Sequence, residues 1–181
     1  MKLDTIHLPG LGDALIAAYI ESFNRRAAKM LGVPYIGGGA ADAWQVYGSF
    51  IEKLGNKVID LDADTFKIFL ATSTYTPDAS AHDEVADLGA NEASNYTRPT
   101  LTVSWVRSGT TVTFDASDPT ITASGGNCVF RYVVIYDDTP AGDPLVCYQL
   151  LDNTPADVTI LNGNSLLLQL HANGILRGLP A

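Results

Sequence analysis

The fold is decided by residues 128–151, which read CVFRYVVIYDDTPAGDPLVCYQLL. The first nine of these residues are almost wholly apolar, a pattern typical of a central strand with both faces covered. Residues 137–144, DDTPAGDP, are dense in turn-forming residues, and residues 145–151 then return as an apolar partner strand. The stretch therefore predicts an antiparallel strand pair at the centre of a β-rich body.

The same strand pair bears on the two cysteines, Cys128 and Cys147. If the turn aligns Tyr136 with Leu145, Cys147 lies opposite Val134, about 20 Å along the strand from Cys128. A disulfide requires Cα atoms within about 7 Å of each other, and a structural zinc site requires more closely spaced ligands. The sequence therefore predicts two buried free thiols and no disulfide.

Further short strands are predicted on both sides of this pair, because apolar and β-branched runs alternate with turn-forming residues. Residues 58–61 and 65–71, joined by the acidic segment 62–64, are typical of a hairpin, and residues 73–98 form a long polar loop. The remaining strands are expected at 101–105, 110–115, 158–161 and 165–171. About eight short strands at this spacing predict a mainly β fold, an antiparallel β-sandwich or jelly-roll-like domain over residues 57–181.

An N-terminal helical arm is predicted over residues 1–56, ahead of the β domain. Its first helix begins at Asp13 and ends at Gly32, and a Gly-rich hinge follows near residues 37–39. The second helix is expected to begin near Asp42 and to end at Gly55. The first helix carries apolar residues at helical spacing: Leu15, Ile16, Tyr19, Phe23, Ala27, Met30 and Leu31.

Aromatic residues are the candidate interface residues of the chain. Trp44, Tyr47 and Phe50 lie on one side of the second predicted helix, where they either pack onto the β domain or anchor a contact between subunits. Tyr75 and Tyr96 in the polar loop are further candidates for contact with another molecule. Both fates of the helical stripe stay open from the sequence.

The distribution of charge restricts the partners. The formal net charge is −9, and residues 1–56 are neutral, so residues 57–181 carry the whole excess of acidic side chains. Such a surface repels nucleic acid and anionic membranes. The sequence has neither a signal-peptide pattern nor a run of about 20 apolar residues, so we expect a soluble protein made in the cytoplasm.

No pattern of catalytic residues is recognisable, and we predict that the chain is not an enzyme. Ser80, His82 and Asp83 contain the residue types of a hydrolase relay, but no nucleophile elbow or similar context surrounds them. His7 and His171 are isolated along the chain and have no metal-ligand spacing.

No cofactor or metal is predicted either. Asp60, Asp62 and Asp64 alternate as calcium ligands do, but in a strand such carboxylates share one solvated face, and the twelve-residue calcium loop with its closing Glu is absent. The triplet at residues 37–39 lacks the spaced glycines and the Lys-Ser/Thr of a phosphate-binding loop.

Several longer motifs occur in a fixed order along the chain. Residues 53–67 read KLGNKVIDLDADTFK, residues 72–78 read TSTYTPD, and residues 116–120 read ASDPT. Residues 136–141 read YDDTPA and residues 172–175 read ANGI. This series resembles a widespread family of small structural proteins of tailed bacteriophages, and it covers about two-thirds of the chain.

The resemblance implies a β-sandwich virion component without catalytic residues. It implies an auxiliary capsid protein, of the decoration or cement type, that binds the major capsid protein on the assembled head as a homo-oligomer, a trimer or dimer. The alternative is a tail or head-fibre module that recognises host glycans through the loop 73–98 with Tyr75, Tyr96 and Asn91. Residues 1–49 depart from the family pattern, whose members generally start near the 50–67 segment.

Overall fold

A computed structural model describes residues 41–170 and 174–178. The first predicted helix and the hinge at residues 37–39 lie outside this range. The described residues form one α-helix, α1 (Gly48–Gly55), one 3-10 helix (Val85–Leu88) and a series of short strands. The strands are β1 (Gln45–Val46), β2 (Phe66–Ala71), β3 (Val103–Ser108), β4 (Thr111–Ala116), β5 (Thr120–Thr122), β6 (Cys128–Phe130), β7 (Tyr132–Asp137), β8 (Leu145–Leu150), β9 (Val158–Ile160), β10 (Ser165–Leu167) and β11 (Leu176–Gly178).

The strands pair in four antiparallel sheets. Their strand orders are β1-β8-β7-β2, β11-β4-β3, β10-β5 and β6-β9. The prediction of a mainly β, antiparallel fold is therefore confirmed. Within the described ranges, no helix combines the length and the apolar character needed to cross a bilayer.

The four-stranded sheet is buried on both faces. Along β7, Val133 and Ile135 face the larger core cluster, whereas Val134 and Tyr136 face a smaller one. Side chains of a strand alternate between the two faces, so a strand can be apolar at every position only when both faces are covered. This confirms the prediction of a central strand drawn from the apolar run in this part of the sequence.

The larger core joins the small sheets to the four-stranded sheet. The Phe66 ring on β2 meets the Phe114 ring on β4 edge to face, with ring centroids 5.1 Å apart. Both rings are fully buried, and burial of this kind stabilises a fold by about 1.5–3 kcal/mol per large apolar side chain. Phe50 of α1 lies in the same core, so residues 41–56 pack with the strands.

The second helix begins six residues later than the sequence predicts. It begins at Gly48 instead of Asp42, because the residues in between extend along β8: Asp42 N donates to Leu150 O (2.9 Å), and Val46 pairs with Cys147. Backbone groups that are committed to a sheet cannot also start a helix.

The predicted hairpin at residues 58–71 is wrong in its first half, which is a series of turns. Asp60 Oδ1 accepts hydrogen bonds from the N–H groups of Asp62 and Ala63, and Asp64 Oδ2 accepts one from Asp60 N at 2.7 Å. Short acidic side chains compete in this way with the backbone pairing that a strand requires.

The apolar run 128–136 is divided into two strands at Arg131. The Arg131 N–H donates to Ala71 O at 2.8 Å, β6 then pairs with β9, and β7 pairs with β2 and β8. The predicted alignment of Tyr136 with Leu145 is confirmed, but a β-bulge next to it places Cys147 opposite Ile135, one residue from the predicted position.

Cys128 and Cys147 are both buried and free, as predicted. Burial raises the pKa of Cys128 to about 11 and that of Cys147 well above its ordinary value, so neither thiol ionises near neutral pH. We expect the native protein to resist alkylation by iodoacetamide at pH 8 and both thiols to react in denaturant. Mass spectrometry before and after unfolding measures this, and rapid modification of either thiol in the native protein would contradict the described burial.

Candidate functional site

The two most distinctive motifs of the sequence lie side by side in the fold. Residues 60–67 and 136–139, called here the motif cluster, meet because β2 pairs with β7. Thr65 N donates to Thr139 Oγ1 and Asp138 N donates to Thr65 O, both at 2.8 Å. The Lys67 ammonium forms an ion pair with Asp138. The motif residues therefore hold one end of the four-stranded sheet together.

A buried carboxyl group lies inside the motif cluster. Asp137 is fully buried; its Oδ1 accepts a hydrogen bond from Thr139 N at 3.0 Å, and its Oδ2 is buried with no hydrogen-bond partner in the part of the chain that the structure describes. Burial raises the pKa of Asp137 to about 7, and the neighbouring Asp64 adds to the rise. Carboxyl groups with raised pKa values serve as proton donors in enzymes, but no substrate can reach a group with no exposed surface. The hydrogen bond from Thr139 N to Asp137 closes the turn that follows β7, which is a structural role.

A second series of hydrogen bonds holds the start of the loop 73–98 in place. Tyr47 and Tyr75 share a hydrogen bond between their hydroxyl groups at 2.7 Å, and the Tyr75 hydroxyl lies 3.1 Å from His82 Nδ1. The His82 ring also stacks on the Tyr75 ring. Burial raises the pKa of Tyr75 to about 12 and that of Tyr47 further, so both phenols stay neutral. These hydrogen bonds and the ring contact hold the start of the loop against the sheet.

The end of the same loop is held by Arg98. Its guanidinium donates two hydrogen bonds to the Glu92 carboxylate, from Nε at 2.7 Å and from the terminal Nη2 at 2.8 Å, and a third to the Tyr136 hydroxyl at 3.1 Å. The same group lies 4.9 Å from the centroid of the Phe69 ring and 5.4 Å from that of the Tyr136 ring. Bidentate and cation–π contacts together make this a strong clamp. Its residues, Glu92 and Arg98, are called here the loop clamp.

The loop clamp was not predicted from the sequence. Its signal is that Arg98 is the one lysine or arginine between Lys67 and Arg107, in a segment with five acidic side chains. A lone cation in such a segment has several potential partners, and the sequence does not show which of them the fold brings close. The Arg98 guanidinium holds the pKa of Glu92 below its ordinary value, mainly through their hydrogen bonds.

Two of the residues considered for a hydrolase relay, Ser80 and His82, contact the same residue, Asp78, whose N–H donates to His82 Nδ1 at 3.4 Å. Ser80 Oγ donates to Asp78 Oδ1 at 2.7 Å, and Asp78 also accepts hydrogen bonds from the N–H groups of Ser80 and Ala81. These bonds lower the pKa of Asp78. His82 faces Tyr75, and Asp83 N donates to Asp87 Oδ2 at 2.8 Å. The hydrogen bonds to the Asp78 and Asp87 carboxylates close turns, and His82 also contacts Tyr75.

The five predicted interface residues differ in how much surface they leave for a partner. Phe50 is buried in the larger core, and Tyr47 and Tyr75 are buried together in the smaller one. Tyr96 is half-buried, and its hydroxyl accepts a hydrogen bond from Leu70 N and donates one to Glu92. Trp44 is half-buried as well, and it precedes α1 instead of lying on it.

A cleft of about 640 Å³ adjoins Trp44. The segment 41–44 forms one wall, and Leu151, Leu168 and Ile175 contribute apolar surface. The indole Nε1 of Trp44 is buried without a hydrogen-bond partner among the described residues. Among the described residues that line the cleft, Asp42 is the one ionisable residue, so this part of the lining offers neither a general acid–base pair nor a nucleophile with a base.

The acidic turns provide no cluster suited to a metal ion in the described ranges. Asp60 and Asp64, which were considered as calcium ligands, direct carboxylate oxygens at backbone N–H groups of their own turn. Carboxylates used in this way have fewer lone pairs for a cation.

No family model, curated protein or solved structure matches the chain. Function is therefore inferred from the residues and contacts of the chain itself.

Proposed function

We propose that the protein is a structural component of a bacteriophage particle, an auxiliary capsid protein that binds and stabilises the assembled head. One observation supports this most strongly: two of the motifs that carry the resemblance, at residues 53–67 and 136–141, meet in the motif cluster, where their side chains close turns and pair strands. Motifs of this kind define a scaffold, whereas the motifs of an enzyme family contain residues that contact substrate. The sandwich-like arrangement of the sheets around the larger core is part of this proposal.

Stabilisation in this role follows from mass action. A protein that binds the assembled lattice, but not the separated subunits, favours assembly in proportion to the logarithm of its free concentration over its Kd. Many copies that cover joints between major capsid subunits multiply the effect. The acidic β body faces solvent in this arrangement, where its charge discourages unspecific contact between particles.

Binding to isolated heads tests this function. Heads are purified from a phage whose genome encodes the chain but from which its coding sequence has been deleted, and purified protein is added in increasing amounts. We expect saturable co-sedimentation with heads, a higher temperature of head disruption, and no binding to unassembled capsid subunits. Absence of binding to heads, or equal binding to unassembled subunits, would contradict the proposal.

The glycan-binding alternative receives little support from the loop 73–98. The Tyr75 hydroxyl contacts Tyr47, the Tyr96 hydroxyl contacts Glu92, and the Asn91 side-chain amide donates to Leu88 O at 2.7 Å. Sugar recognition requires polar groups that are available to the ligand. Binding of the isolated protein to a glycan array, together with failure to bind heads, would favour a tail or head-fibre module instead.

A further inference from the structure

Strand β3 has an open edge. Within residues 41–170 and 174–178 it pairs with β4 alone, so its other side has no neighbouring strand. The two strands are joined by the two-residue turn Gly109-Thr110, and Gly109 has the positive φ (59°) that such a turn requires. Open edges are sites where another strand can add, and natural proteins usually shield them.

The backbone groups on the open edge can be identified from their neighbours. In an antiparallel pair, alternate residues direct their N–H and C=O groups toward the neighbouring strand and the residues between them direct theirs away. Thr102 O accepts a hydrogen bond from Ser117 N, just beyond the end of β4, whereas Leu101 N donates to Phe66 O on the opposite side. By this alternation, Val103, Trp105 and Arg107 present their backbone groups to the open edge.

The side chains at this edge are unusually apolar for an exposed strand. Trp105 is 39% exposed and Val106 is 57% exposed. Trp105 lies directly across from the buried Phe114, so its ring extends the face of the sheet that covers the core, and Val106 lies on the opposite face. The edge has no lysine or proline, and its one charged side chain, Arg107, lies on the same face as Trp105 at the hairpin end of the strand.

The charge around β3 differs from that of the rest of the chain. Residues 99–114 contain one charged side chain, Arg107, and no acidic residue, although the whole chain has a net charge of −9. Two copies that approach through any acidic part of the surface repel each other, whereas two copies that approach through this segment do not bring carboxylates together. The local charge therefore favours a second copy of the chain as the occupant of the edge.

We propose that two copies of the protein form a two-fold symmetric dimer by antiparallel pairing of their β3 edges. The two-fold axis lies at Trp105, so that each Trp105 is opposite Trp105 of the partner subunit. Val103 is then opposite the partner's Arg107, and Ser104 is opposite the partner's Val106.

This register satisfies two independent requirements. It keeps each side chain opposite one on the same face, as a two-fold axis perpendicular to the sheet demands. It also lets Val103, Trp105 and Arg107, whose backbone groups face the edge, form the hydrogen-bonded pairs. An axis at Val106 would instead place Val103 opposite the turn residue Gly109 of the partner subunit, and an axis between two residues would pair edge-facing residues with residues whose backbone groups are bonded to β4. The dimer does not depend on a role in a virion.

A charge placed at the axis tests the proposed surface. In the Trp105→Lys variant, two ammonium groups meet at the two-fold axis, and the aromatic contact is lost. Analytical ultracentrifugation should show at least ten-fold weaker dimerisation than for the wild type. The control, Thr110→Lys, adds the same charge at the exposed tip of the hairpin and should leave the dimer intact. A wild-type protein that stays monomeric at 100 µM, or a dimer that Trp105→Lys does not weaken, would overturn the proposal.

A cross-linking experiment tests the register and does not require a destabilised variant. Ser104→Cys and Val106→Cys chains are mixed and mildly oxidised; both positions are exposed, while the native thiols are buried. Opposite residues in an antiparallel pair are close enough for a disulfide, so the mixture should yield a covalent heterodimer. In a dimer of two Ser104→Cys chains, or of two Val106→Cys chains, the two new thiols lie two residues apart along the paired strands. Each variant alone should therefore cross-link far less than the mixture. Equal cross-linking in all three samples, or none, would overturn the register.

The dimer proposal and the capsid proposal can each fail without the other. A monomer that still binds heads saturably would refute the β3 dimer and leave the capsid role standing. A β3 dimer that does not bind heads would refute the capsid role and leave the interface standing.

Discussion

Replacement of Arg98 with methionine is expected to lower the free energy of unfolding by about 2–3 kcal/mol, because the half-buried Glu92 carboxylate and the hydroxyl of the buried Tyr136 lose their charged partner. Methionine retains most of the apolar length of arginine, so the loss reports mainly on the polar and cation–π contacts. Urea unfolding at pH 7, followed by circular dichroism, measures the change. The end of the loop 73–98 should also exchange its amide hydrogens faster.

Two further variants serve as controls for the Arg98→Met result. Arg177→Met removes an exposed arginine and should leave the unfolding midpoint unchanged. Arg98→Lys keeps the charge but not the bidentate geometry, and it should fall between the wild type and Arg98→Met. If Arg98→Met were as stable as the wild type, the loop clamp would not hold the loop.

Replacement of Asp137 with asparagine is expected to raise the free energy of unfolding at pH 8, by an amount on the order of 2 kcal/mol. The pKa of Asp137 is raised by burial from its ordinary value of 3.8 to about 7, so the folded protein retains a proton that the unfolded chain has lost. The contribution of this group is fully present below about pH 4 and is lost as the pH rises through 7. Above that pH, the folded state holds a buried carboxylate beside Asp64.

Asparagine is neutral at every pH, and its amide can donate a hydrogen bond to the neighbouring Asp64 carboxylate at every pH, which Asp137 can do only while it is protonated. The stability difference between the variant and the wild type should therefore grow between pH 4 and pH 8, as thermal unfolding in a series of buffers would measure. Asp62→Asn removes the same formal charge from an exposed position of the neighbouring turn and should follow the wild-type profile. A difference that is constant with pH would contradict a raised pKa at Asp137.

The central part of the fold could be predicted from the sequence because local patterns and packing agree there. The apolar run before the 137–144 turn requires two covered faces, and the turn itself aligns Tyr136 with Leu145. The alternation in residues 101–105 and the composition of residues 110–115 likewise predicted two strands, which the fold contains as β3 and β4 with bounds shifted by one to three residues. In these places the short-range signals need no information from distant residues.

The remaining elements depended on contacts that a local pattern does not contain. Arg131 interrupts the long apolar run because its N–H is taken by Ala71, 60 residues earlier in the chain. Asp42 does not start a helix because its N–H is taken by Leu150 on β8. Residues 58–64 have strand-like composition, but the Asp60 and Asp64 carboxylates bond to backbone groups that a strand would pair.

For the same reason, only part of the candidate site could be predicted from the sequence. The motifs around Asp64 and Asp138 were recognised as distinctive strings, but only strand pairing reveals that they adjoin each other. Tyr47 and Tyr75 were candidate interface residues because aromatic residues dominate interfaces, with packing onto the β domain left open for Tyr47, and the same apolar area makes them favourable in a core. The composition of a side chain does not distinguish these two fates.

Locating the protein on intact particles tests the proposed function most directly. Particles of the phage whose genome encodes the chain would be labelled with gold-conjugated antibodies against the purified protein and imaged by electron microscopy. A capsid role predicts gold distributed over the head surface, and its absence from particles that lack the coding sequence. Label confined to the tail or fibre tips, or a protein found in the lysate but on no particle, would contradict it.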